Sequence, residues 1–170
     1  MWIPNVEHFK VLTDELILQH SEKLKVLYHS VACDVEVKEG RVAAVIIANK
    51  DGLTRVEAKQ VIDCTGDGDI AHWAGCPTIS SKPLMPLTMH FRIGNVIPTP
   101  ETKPAAKKVL IEAHKEGRLV NFYGPGLIFA FAKDECYVHA TRVPADATNA
   151  ADFTRAEIQG RKDAWTIFNE

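Results

Sequence analysis

The stretch Val61-Ile62-Asp63-Cys64-Thr65-Gly66-Asp67-Gly68-Asp69, running on into Ile70-Ala71-His72-Trp73-Ala74-Gly75, decides how this sequence is read. The apolar pair Val61-Ile62 reads as the end of a buried strand, and Ile70–Ala74 as a short helix. Between them, Thr65–Asp69 holds two glycines and two carboxylates. Such a turn lets backbone approach a ligand at the carboxyl end of a sheet, because glycine reaches positive φ and carries no Cβ. Gly66 and Gly68 would offer N–H groups at close range, and Asp67 or Asp69 would accept hydrogen bonds from sugar hydroxyls. Asp69 also sits where it can cap the helix that follows. Spacing alone leaves a second reading open, a surface turn leading into an N-capped helix.

Working outward, Val6, Phe9, Leu12, Leu16 and Ile17 recur at helical spacing and predict an amphipathic helix from Val6 to His20, begun after Pro4-Asn5. Leu24–Tyr28 reads as a short buried strand. Val35 and Val37 alternate with Glu36 and Lys38, Glu39-Gly40 marks a tight turn, and Asp51-Gly52 signals a hairpin. These predict an antiparallel meander of Val31–Lys38, Arg41–Asn49 and Thr54–Ile62. Its last strand loses alternation at Val61-Ile62, as a strand buried on both faces would.

The proline-rich, Ser/Thr-rich stretch Cys76–Pro86 reads as a crossover, which divides the chain into domains 1–78 and 79–170. Beyond it the pattern predicts a strand at Leu87–Ile93 and a loop at Pro98–Pro104. A helix at Ala105–Glu116 is closed by Gly117, strands follow at Leu127–Ala132 and Cys136–Arg142, and a last helix spans Thr154–Phe168 with Asp152 as N-cap. The fold class is α+β.

Composition excludes several functions. With 170 residues and a formal charge of −2, the chain has no basic face suited to nucleic acid. No apolar run is long enough to span a bilayer, Met1-Trp2-Ile3-Pro4 is not a signal peptide, and four cysteines without CxxC spacing read as reduced thiols of a cytoplasmic protein. His72 and Cys76 stand four apart near Asp69, but no second Cys/His cluster joins them to make a zinc site. Asp63, Asp67 and Asp69 echo a calcium loop without its glycine and distal glutamate. There is no nucleophile elbow and no phosphate-binding loop with Lys-Ser/Thr. His90, His114 and His139 read as structural or surface residues. Arg92 and Arg142, on strands of the second domain, would either clamp a substrate carboxylate or form salt bridges within their sheet.

Ile62–Gly75 resembles the Ile-Asp-(Ala/Cys)-Thr-Gly-Asp-Gly-Asp-x-Ala-x-x-Ala-Gly signature of a family of bacterial FAD-dependent oxidoreductases. The likeness extends to Pro86-Leu87-Thr88-Met89-His90-Phe91-Arg92, to Thr141-Arg142-Val143 with Asp146–Asp152, and to Glu157-Ile158-Gln159-Gly160-Arg161. It implies hydride transfer between an organic substrate and flavin, with FAD as cofactor. Thr65, Gly66 and Asp67 would lie near the FAD phosphates and ribose, with Gly68 and Asp69 beside them, and Val31 would touch adenine through its backbone. Arg92, Arg142 and His139, which stands where relatives commonly carry Asn, become candidate substrate contacts.

The family's opening Gly-x-Gly-x-x-Gly turn and its later glycine-rich segment have no counterpart here. The resemblance therefore implies an interior slice: part of an FAD-binding domain, then part of a substrate or cap domain. It would bind FAD weakly or not at all alone and depend on the missing segments or a partner chain. The alternative is a non-enzymatic half-protein that pairs with another chain or with itself.

Overall fold

Alternation of β-branched residues with charged ones, punctuated by two tight turns, produces the meander that dominates the first part of the chain. The computed structural model describes residues 6–80, 82–97 and 99–170, with backbone alone at residue 6 and over 123–132. The chain divides into two compact units, Met1–Thr78 and Ile79–Glu170.

In the first unit, helix α1 (Val6–Gln19) precedes strands β1 (Val31–Lys38), β2 (Arg41–Asn49) and β3 (Gly52–Glu57), paired antiparallel in the order β1-β2-β3. The Pro4-Asn5 start expected for α1 lies outside the described residues. Glu39 and Gly40 both take positive φ, 52° and 73°, the backbone of a turn whose twist matches that of the flanking strands. At the second turn Asn49 pairs with Gly52, and the Asn49 side-chain oxygen accepts the Asp51 N–H at 2.9 Å. Val35, Val45 and Val56 stand side by side across the three strands, and Ala44 on β2 is fully buried. Arg55 on β3 ties the sheet laterally, donating to Glu36 at 2.8 Å and to Glu57.

One expected strand is absent and another is shorter than expected. Leu24–Tyr28 is an irregular, exposed segment, and β3 ends at Glu57, so Val61-Ile62 lies outside the sheet with Ile62 86% exposed. An apolar run becomes a buried strand only where neighbours complete its hydrogen bonds and cover its faces. Among the described residues neither segment has such neighbours.

In the second unit, β4 (His90–Gly94), β5 (Phe122–Ala132) and β6 (Glu135–Thr141) form an antiparallel sheet in the order β4-β6-β5. Central β6 alternates from Glu135 to Ala140: Cys136, Val138 and Ala140 are buried, while Glu135, Tyr137 and His139 are half-exposed. Helices α3 (Thr102–Lys115) and α4 (Ala150–Asn169) supply Leu110, Ala113 and Ile167 to a core with Leu119, Val138 and Ala140. Buried Thr141 fastens the strand leading into β4, its hydroxyl accepting the Met89 N–H at 2.6 Å and donating to the Met89 carbonyl at 3.1 Å.

Helix α3 starts at Thr102, three residues before the expected Ala105, because Pro104 occupies its first turn, where a missing N–H costs no helical bond. Pro98 of the preceding loop lies outside the described residues. Gly117, at φ 76°, ends α3: its N–H donates to the His114 carbonyl, and that of Arg118 to Ala113. Helix α4 begins earlier than expected, and its N-cap is Asn149, not Asp152. The Asn149 side chain accepts the N–H groups of Ala151 and Asp152, while Asp152 accepts from Asp146 N–H and pairs with Arg155. No helix among the described residues is long and apolar enough to cross a membrane.

Candidate functional site

The loop that opens at Thr65 is organised by a residue upstream of it. One Asp63 carboxylate oxygen accepts the Thr65 N–H at 3.0 Å and the Thr65 hydroxyl at 2.7 Å; the other accepts the Ala71 N–H at 3.0 Å. The Thr65 hydroxyl oxygen in turn accepts the Asp69 N–H at 2.9 Å. Helix α2 (Asp69–Trp73) therefore receives its N-terminal acceptors from residues before the glycines. Its N-cap is Gly68, left-handed at φ 75°, so Asp69 is the first helical residue and not the cap it was expected to be. The Thr65 hydroxyl, helped by the N–H groups of Thr65 and Ala71, holds the Asp63 carboxyl below its ordinary pKa.

With those bonds made, the rest of the loop is left available. Gly66 and Gly68 hold φ 103° and 75°, and an added Cβ at either would meet nothing within 4 Å. Glycine is needed there for backbone conformation, and the space beside both α-carbons is open. Among the described residues, the N–H groups of Gly66, Asp67 and Gly68 meet no acceptor, and the Asp67 and Asp69 carboxylates meet no donor. N–H donors without partners beside two acceptor-only carboxylates fit a polyhydroxylated ligand that also carries phosphate. The carboxylates suit the hydroxyls and repel the phosphates. Helix α2 packs on β1, the strand that Val31 opens. A concavity of about 730 Å³ between Lys38, Arg41, Glu57 and Lys59 contains none of these residues.

The second group of sequence-identified residues gathers on the open face of the second sheet. His90 and His139 are directly opposite in the β4–β6 register, with ring centroids 4.2 Å apart. Arg142 donates from one nitrogen to the Thr88 hydroxyl and, at 2.9 Å, to Nε2 of His139. Tyr137 hydrogen-bonds Nδ1 of His90. Burial, then the proximity of His90 and Arg142, lowers the His139 pKa. Arg92 pairs with Glu135 at 3.2 Å, the salt-bridged arrangement weighed for it. Sequence reading set Asp63 in a calcium-like group and missed its part in the loop, whose signal was the Asp-x-Thr spacing of a side-chain turn. It also passed over the His90–His139 pairing, which needed the strand register.

The model of the FAD dependent oxidoreductase family matches residues 3–170. This chain belongs to the FAD dependent oxidoreductase family. Comparison with curated proteins and with solved structures returned no match. Among the described residues, no group of three or more His, Cys, Asp or Glu side chains is arranged to hold a metal ion.

Proposed function

We propose that the chain works as part of a flavin-dependent oxidoreductase that transfers hydride between a small organic substrate and FAD. In this reading Thr65, Gly66, Asp67, Gly68 and Asp69 line the sugar-phosphate portion of the cofactor, and Val31 contributes backbone contacts to adenine. The observation that carries it is the loop itself: Asp63 and Thr65 make the internal bonds, and the Gly66–Gly68 N–H groups and the Asp67 and Asp69 carboxylates have no partner among the described residues. When bound, flavin supplies the redox chemistry. The loop's residues bind and orient it. Arg142 and His139 are the leading substrate contacts on the second sheet; Arg92, engaged by Glu135, adjoins them.

Completion by a glycine-rich dinucleotide-binding segment, on the same polypeptide or another, is part of the proposal. Its support is the apolar surface of the first unit, where Ile62, Leu53 and Val31 are 86%, 75% and 66% exposed and α1 presents Phe9, Leu12 and Leu16 to solvent. The 170-residue chain alone is accordingly expected to purify without stoichiometric flavin; yellow protein releasing one FAD per chain on denaturation would overturn this. In a reconstituted flavoprotein, Gly66→Ala, strained at φ 103°, and Asp67→Asn should each weaken FAD by about tenfold, about 1.4 kcal/mol. Unchanged affinity in both would remove the loop from the cofactor site.

The same exposed apolar surface favours a second reading, a non-enzymatic half-protein that pairs with another chain or with itself. Light scattering distinguishes it: a monomer at high concentration with low binding of hydrophobic dye counts against self-pairing.

A further inference from the structure

At the end of the meander that carries the Glu39-Gly40 turn lies the concavity of about 730 Å³, a size that suits a small ligand. One extra residue shapes it. Glu36 pairs with Ala44 but Val37 with Val42, so Ala43 is a bulge in the β1–β2 ladder. A bulge bends its strand and increases the local twist, so this end of the sheet is concave and not flat. Lys38 and Arg41 pair directly across the turn, and Lys59 follows two residues after the end of β3. An Arg41 guanidinium nitrogen donates to the Lys59 carbonyl at 3.5 Å, tying the turn to the outgoing chain.

Three cations line this space against a single carboxylate, Glu57. Glu57 is already engaged by Arg55, which also donates to Glu36 at 2.8 Å. The Arg55 bonds, helped by nearby Lys38, lower the pKa of both carboxyls, yet Lys38 takes part in neither salt bridge. Among the described residues no ion pair engages Lys38, Arg41 or Lys59, and Arg41 keeps the other donors of its fork. Val42, Ala43 and Ala58 give the lining an apolar part.

We propose that this concavity binds a small organic phosphomonoester, with Lys38, Arg41 and Lys59 on the phosphoryl oxygens and the apolar part of the lining against the organic body. Phosphate fits better than carboxylate in charge and in direction. A phosphomonoester carries about −1.5 to −2 at neutral pH, and its tetrahedral oxygens suit donors that arrive from three strand ends. The guanidinium fork alone would satisfy a carboxylate and leave both ammonium groups without a counter-charge. A nucleic-acid backbone does not fit, because it needs a longer run of cations and Glu36, Glu39 and Glu57 border this cluster. The site shares no residue with the Thr65–Asp69 loop and does not depend on flavin.

An amide NMR titration of the full chain tests this, with sodium phenyl phosphate, sodium phosphate and sodium benzoate added at matched ionic strength. Phenyl phosphate should shift the Ala43, Ala58 and Lys59 amides saturably in the millimolar range, about tenfold more tightly than either of the others. Arg41→Gln and Lys59→Gln should each weaken it about threefold, and the triple change of Lys38, Arg41 and Lys59 to Gln should abolish the response. Glu57→Gln, which removes the carboxylate from the lining, should tighten binding about twofold. Lys107→Gln on α3 should leave it unchanged. A preserved amide spectrum elsewhere shows that each variant is folded. No saturable shift at these amides by about 50 mM phenyl phosphate would overturn the proposal. So would phosphate or benzoate binding as tightly, or a triple variant that still responds. The FAD-affinity test involves none of these residues, so the two readings fall separately.

Discussion

Replacing Thr65 by valine keeps the shape of the side chain and deletes its oxygen. Two bonds go: the hydroxyl's donation to Asp63 at 2.7 Å, and its acceptance of the Asp69 N–H at 2.9 Å. The second is the N-terminal acceptor for a helix whose own N-cap, Gly68, has no side chain to offer. Loss of a side-chain acceptor at a helix start costs about 1 kcal/mol, a factor of about five in the local opening equilibrium. Thr65 is exposed, so water takes over part of the bond to Asp63 and the deficit should stay near that figure. Hydrogen exchange reads it directly. The His72 and Ala74 amides, which donate to Gly68 and Ile70 within α2, should exchange about fivefold faster in Thr65→Val and at the original rate in Thr65→Ser. Amides of β2 should be unaffected. Equal protection of α2 in wild type and Thr65→Val would refute the view that this hydroxyl holds the loop.

Gly160 is buried inside α4, and an added Cβ would meet Met89 and Val143 side chains at 3.5–3.9 Å, ordinary contact. Gly160→Ala should therefore stabilise the second unit by about 0.5–1 kcal/mol in denaturant unfolding, and destabilisation would show that the helix–sheet packing is tighter than described. Leu119 is fully buried in the same core, and Leu119→Ala should cost about 3 kcal/mol by the same measurement. The Asp63 carboxyl is depressed in the folded state by the Thr65 hydroxyl and the Thr65 and Ala71 N–H groups, so its contribution is complete above the unfolded pKa, about 3.9, and disappears as pH falls through the folded value. The Thr65 and Ala71 amide shifts should move only in that acid range, and a profile that persists in Asp63→Asn would assign it to another group.

Where local chemistry alone decides an element, the sequence was readable. Glu39-Gly40 and Asp51-Gly52 located the meander's turns, Gly117 the end of α3, and the 3.6-residue spacing α1. The misread strands and the misread cap of α4 depended on partners that sequence does not display. Val61-Ile62 and Leu24–Tyr28 look like buried strands, but a strand is a property of a sheet, and among the described residues no strand lies beside them. Asp152 and Asn149 are both good caps; what separates them is that Asp152 is drawn to Arg155 and the Asp146 N–H. In the candidate site the glycines and carboxylates were legible as a group, and their roles were not. Asp63 was set among calcium-like acids when its bonds make it the internal support of the loop.

That division of roles among three neighbouring carboxylates bears on how a dinucleotide would meet this loop in the proposed reading. Asp63 is saturated by Thr65 and Ala71 and cannot serve a ligand without dismantling α2's start. Asp67 and Asp69 keep their full acceptor capacity, at the cost of negative charge on the side a pyrophosphate would approach. Hydroxyls gain from such carboxylates and phosphates do not, so the proposed orientation places ribose or ribityl oxygens against Asp67 and Asp69. Phosphate is restricted to the Gly66–Gly68 N–H groups or to donors elsewhere. A carboxylate-to-amide change at Asp67 should then act in opposite directions on two ligands: weaker binding of adenosine, which presents hydroxyls alone, and unchanged or tighter binding of inorganic pyrophosphate, which presents charge alone. Parallel losses for both would mean that Asp67 shapes the loop and does not contact the sugar.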